Sequence, residues 1–124
     1  MIAPSLTSQH QPTRLQRTIT LLEELARLQG DESRWYAPET IRLQAERLAD
    51  AKDREAAFQR SLDLAHRQGA LSWELRSAAS MARLWSTTGR SADARQILSS
   101  TLSRFEEGFE TPDLVQANAL LERL

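Results

Sequence analysis

A nucleophile, a general base or a metal ligand needs partners at defined spacing, so the search for chemistry starts with the titratable residues. Two histidines are present, His10 and His66. His10 lies in a polar lead of Ser, Gln and Pro. His66 falls near the end of an amphipathic run, where the helix dipole favours a cation. Neither has a nucleophile or a second ligand at a fixed interval, and both read as structural. The carboxylate pairs Glu23-Glu24 and Glu106-Glu107 are neighbours in sequence. On a helix such neighbours point about 100° apart. They cannot converge on one proton or one metal, and a solvated face is the plainer reading. Cysteine is absent. That removes disulfides, thiolate zinc sites and cysteine nucleophiles. No two glycines lie close enough to build a phosphate-cradling loop. The expectation is a chain that is not an enzyme and uses neither metal nor cofactor.

The remaining chemistry is that of recognition. Arg76 and Arg83 are two helical turns apart and share a side. Guanidinium groups so placed can hold a carboxylate of a peptide through paired hydrogen bonds. Ala79 and Ser86 fall on the same face, and Glu39, Arg42 and Glu46 occupy the corresponding face of the preceding repeat. These seven residues are the expected partner-binding groove. The competing reading is an exposed charged surface with local pairs such as Arg42 to Glu46 at i,i+4. Trp35, Trp73 and Trp85 could line a ligand site, but large aromatics more often fill gaps between helices.

Composition bounds the class. The chain has 124 residues, 40% of them apolar and 27% charged, with a formal net charge of -1. This suits one soluble globular domain. No global field draws it to nucleic acid or anionic lipid. Lys52 is the only lysine, so the other cations are arginines. No apolar run approaches the roughly 18–20 residues of a membrane span. The opening MIAPSLTSQHQP has neither the basic start nor the apolar core of a signal peptide. A cytoplasmic location follows by default.

The elements that must position these residues are helices. Amphipathic runs of period 3.6 are expected at about 13–29, 34–51, from 53, 72–88, from 91, and from 111. Thr13 and Gln16 have capping-box spacing. Asp53 suits an N-cap, and Thr111-Pro112-Asp113 combines an N-cap, a first-turn proline and an acid on the positive dipole end. Gly30, Gly69, Gly89 and Gly108 each follow a run and read as helix stops. No stretch alternates as a strand does. Loops of two to six residues force antiparallel neighbours. Residues 1–12 form an expected disordered lead, and 13–124 a single domain.

The runs repeat. Ala45 and Ala82 stand 37 residues apart at the same place in successive helix pairs. Ala82, Trp85, Gly89, Ala94, Leu98 and Thr101 follow the small–bulky–small series of tetratricopeptide repeats. The first pair departs from it. If Phe58 is its bulky position, Arg54 falls where a small residue belongs, and the turn at Ala51-Lys52-Asp53 has no glycine. The stretches ESRWYAPETIRLQAERL, RSLDLAHRQGALSWELRSAASMARLW and FEEGFETPDLVQANALLERL resemble the C-terminal tetratricopeptide-like repeat region of large bacterial signalling ATPases. The resemblance spans about residues 15–124. It implies an all-α fold of about six helices, antiparallel pairs stacked as a short right-handed solenoid. It also implies a non-catalytic protein-interaction module with a protein or peptide partner. A small regulatory protein that meets nucleic acid through arginines, or a non-functional remnant of a longer ATPase, are the alternatives; neutral charge argues against the former. The first helix resembles the second member of a pair. Its stripe of Leu15, Ile19, Leu22 and Leu25 would then seek cover, and self-association, or burial against a partner, through it is expected.

Overall fold

The computed structural model of the chain describes residues 13, 14, 16–21 and 35–124. The expected lead at 1–12, the side chains of Leu15, Leu22 and Leu25, and Gly30 lie outside them. Every regular element among the described residues is helical, and none of them is a strand. Five helices are complete: α1 (Ala37–Ala45), α2 (Ala51–Gln68), α3 (Leu71–Thr87), α4 (Ser91–Leu102) and α5 (Pro112–Arg123). Residues 16–21 are also helical. Ahead of them the Thr13 hydroxyl accepts from the Gln16 amide at 3.0 Å. The Gln16 side chain in turn accepts from the Thr13 amide at 2.7 Å, which closes the expected capping box.

Local signals set most boundaries. Asp50, not Asp53, caps α2, accepting from the Asp53 amide at 3.1 Å. The capping oxygen must precede the first free amide donors, and Asp50 stands three residues before the amide it satisfies. α1 is accordingly shorter than expected and stops at Ala45, leaving residues 46–50 to reverse the chain. Gly69 ends α2 in the left-handed region, with φ 69°. Its amide donates to the His66 carbonyl, and the next amide, Ala70, donates back to Ala65. This pairing needs a residue free of a Cβ clash. Gly108, by contrast, does not stop a helix, because α4 ends at Leu102. It lies in the connection 103–111, which is longer than expected and holds Glu106 and Glu107, both exposed. Pro112 opens α5 as expected, but the Thr111 hydroxyl makes no cap. It donates instead to the Gly108 carbonyl at 2.7 Å.

Consecutive helices pack on each other throughout α1–α5, and α1 also packs on α3 and α3 on α5. α2 and α4 make no close backbone contact, but Glu55 of α2 pairs with Arg90, just ahead of α4, at 3.1 Å, and Ile97 of α4 packs on the cluster that holds Phe58 of α2. One core joins Leu75, Ala79, Ala82, Ala94, Leu98, Leu114, Ala117 and Leu120. A second joins Ala45, Phe58, Met81 and Leu84. Trp85 touches both clusters, so it bridges the two helix pairs as an aromatic filler. Arg90 lies 4.3 Å above its ring. A third cluster sets Ala37 and Ile41 of α1 on Leu64 of α2. Ala45 and Ala82 are fully buried at equivalent places, as the 37-residue spacing requires.

Shifted by 37 residues, Ala94, Leu98 and Thr101 fall on Ala57, Ser61 and Leu64. Ser61 and Phe58 are both fully buried. The Ser61 hydroxyl donates to the Pro38 carbonyl at 2.6 Å and meets the Ser77 hydroxyl at 2.6 Å. The turn between α1 and α2 spans residues 46–50.

Candidate functional site

α1, α3 and α5 together line an open groove of about 330 Å³. Arg42 comes from α1; Leu75, Arg76, Ala79 and Arg83 from α3; Pro112, Asp113, Gln116 and Ala117 from α5. Four of the seven expected groove residues therefore meet here: Arg42, Arg76, Ala79 and Arg83. Glu39 is buried beside them and does not line the groove. Glu46 is half-buried and turned aside, accepting from Arg54 at 3.2 Å and from the Ser80 hydroxyl at 3.3 Å. Arg42 Nη1 stands 3.6 Å from it, so the expected i,i+4 pair exists but is loose. Ser86 donates to the Arg83 carbonyl at 2.7 Å, a local helix bond. Sequence reasoning did not include the α5 wall. The available signal was numerical: Asp113 lies 37 residues after Arg76, as Arg76 lies 37 after Glu39.

Those three residues form an ion ladder across the three helices. Glu39 accepts both Nε and Nη2 of Arg42, at 2.8 and 2.6 Å. It also accepts Nη1 of Arg76 at 2.8 Å. Arg76 Nε then donates to Asp113 at 3.0 Å. Arg76 also lies 5.5 Å over the Trp73 ring, a cation–π contact. Burial pulls the Arg76 guanidinium down, but its hydrogen bonds to Asp113 and Glu39, and their charges, outweigh that. Its pKa therefore lies above the ordinary arginine value. A raised cation pKa contributes stability at all pH below its unfolded value, so the arginine side of the ladder is constant over the ordinary pH range.

Arg83 differs from its neighbours. Its exposed guanidinium has no hydrogen bond or ion pair among the described residues. The groove thus offers one uncommitted cation beside an apolar floor of Leu75, Ala79 and Ala117, with Gln116 as a neutral donor and acceptor. This arrangement can bind an anion or carboxylate.

The other expected positions are dispersed. His66 Nδ1 meets the buried Glu74 carboxylate at 3.2 Å, where Arg104 also donates. Trp35 is mostly exposed and stands 6.2 Å from Trp73, so it does not fill a gap between helices. Ile19 is fully buried within the chain. Among the described residues no group of three His, Asp or Glu could hold a metal ion. No helix among them is long and apolar enough to cross a membrane. In comparisons with known proteins, no family model matches the chain, and neither a curated protein nor a solved structure matches it.

Proposed function

We propose that the chain is a tetratricopeptide-like interaction module of stacked helix pairs, right-handed in the sense its repeat resemblance implies. In this reading α1, α3 and α5 are the inner helices of successive repeats. The groove they line receives an extended acidic segment of a partner protein, and the chain binds without catalysing. One observation carries the reading: Arg83 is left without a partner in a groove whose other cations are already held by Glu39, Glu46 and Asp113. A carboxylate seated there gains a charge-assisted hydrogen bond without breaking an existing pair. The packing of α1 on α3 and of α3 on α5, at a 37-residue period, supports the repeat reading. Exposed and isolated, Arg83 is also the residue that can be reversed without touching the core.

The test is binding of fluorescently labelled extended peptides, acidic and neutral, to the wild type and to Arg83→Glu. Acidic peptides are expected to bind the wild type and to lose at least tenfold in affinity on the variant. Equal binding to both proteins removes the groove from the function. Single-stranded nucleic acid in the same assay separates the alternative: binding that falls steeply with salt and exceeds peptide binding would favour phosphate recognition.

A further inference from the structure

Arg76 is held from two sides that differ in strength. Its Nη1 donates to Glu39 at 2.8 Å, and that carboxylate is only 7% exposed. Its Nε donates to Asp113 at 3.0 Å, where the two side chains are 42% and 32% exposed. Glu39 also takes Arg42 through both of its oxygens, so it is fixed in place. Asp113 has no such anchor. One of its oxygens meets one nitrogen of Arg76, and its side chain makes no other hydrogen bond among the described residues. Exposed pairs of this kind are weak. The Asp113 side of Arg76 is therefore the side another carboxylate could take.

Asp113 stands in the groove itself. It lines the same opening as Arg76, Arg83 and Gln116. Arg76 and Arg83 are seven residues apart on one side of α3, a rise of about 10 Å. An extended segment with the threefold twist of polyproline II sets side chains three positions apart on one side, about 9 Å from each other. Two acidic side chains at that interval match the two guanidinium groups. Only Arg83 is open to one, because a carboxylate of this chain already stands on Arg76.

We propose that Asp113 is the groove's own ligand: it occupies the place of a second partner carboxylate and restricts the groove to segments with one acidic side chain at this point. A second acid on the partner meets an arginine already neutralised and a like charge beside it, which disfavours it. Removing the charge of Asp113 while keeping its shape frees the groove side of Arg76, with Glu39 still on Nη1. The inference rests on the groove reading and adds to it which acidic segments the groove accepts.

Two labelled peptides, uncharged apart from one Glu in the first and two Glu three positions apart in the second, test it. Their affinities are measured for the wild type, Asp113→Asn and Glu110→Gln. The last removes an exposed negative charge close by in sequence without touching Arg76. The wild type is expected to bind both peptides about equally. Asp113→Asn is expected to prefer the two-Glu peptide by about tenfold, the effect of one charged hydrogen bond. Glu110→Gln should keep the wild-type ratio. A ratio of two peptides on one protein is insensitive to partial loss of fold, and circular dichroism checks helicity. A wild type that already shows the tenfold preference, an unchanged ratio in Asp113→Asn, or an equal gain in Glu110→Gln overturns the proposal. An unchanged ratio with single-Glu binding that Arg83→Glu abolishes sinks this inference alone. No binding of either peptide sinks the groove and the inference together.

Discussion

The hydroxyl of Ser61 meets that of Ser77 at 2.6 Å, sixteen residues on, while Leu98 and Leu114, at the same interval one helix pair later, share a core cluster. The junction of α2 with α3 thus uses hydroxyls where that of α4 with α5 uses leucines. Because Ser61 donates to the Pro38 carbonyl, Ser77 must donate to Ser61.

That direction ranks two substitutions. Ser61→Ala removes two hydrogen bonds and strands a buried hydroxyl, so it should destabilise by about 1–3 kcal/mol. Ser77→Ala leaves the Ser61–Pro38 bond in place and should cost only about 1 kcal/mol. Urea melts of the two variants give the order; the reverse order would reassign the donor.

The ion ladder should be unequal along its length. Glu39 is nearly buried, whereas Arg76 and Asp113 are both about a third or more exposed. A double-mutant cycle should give Arg76–Asp113 a coupling of about 0.2–1 kcal/mol, the range of exposed pairs. Arg76–Glu39 should exceed it, though Arg42 remains on Glu39 and solvent reaches Arg76. High salt should shrink the Asp113 coupling first, because exposed charges are screened more than buried ones.

Gly69→Ala should cost about 1–2 kcal/mol from backbone strain alone. The glycine sits at φ +69°, and a methyl group there would meet nothing within 4 Å, so no clash contributes. Asn at the same position should recover part of the loss, since it tolerates the left-handed region better. Thermal melts of the three proteins check this; an Ala variant as stable as the parent would mean that the turn relaxes.

Much of the helix arrangement was legible in the sequence because its signals are local. The Thr13–Gln16 box, the Gly69 stop and the Pro112 start each act within four residues, and all three occur as read. What was hidden depends on distant partners. Asp50 and Asp53 are equally good caps on paper, and the choice rests on where α1 must turn. Ser61 does not read as a core residue because a serine fills such a position only when another hydroxyl and a carbonyl await it. Arg42, Arg76, Ala79 and Arg83, which helical spacing sets on one side, line one groove. Glu39 was expected on the surface and is buried, because two arginines from different helices neutralise it. The α5 wall required applying the 37-residue step a second time.

The ion pair between Arg90 and Glu55 has a mechanical consequence. Close backbone packing beyond sequence neighbours joins α1 to α3 and α3 to α5, while on the far side Glu55 of α2 reaches Arg90, just ahead of α4, at 3.1 Å. Both partners are well exposed, so this strap contributes little stability and is screened by salt. High salt should therefore loosen the far side first and let the grooved face change its curvature.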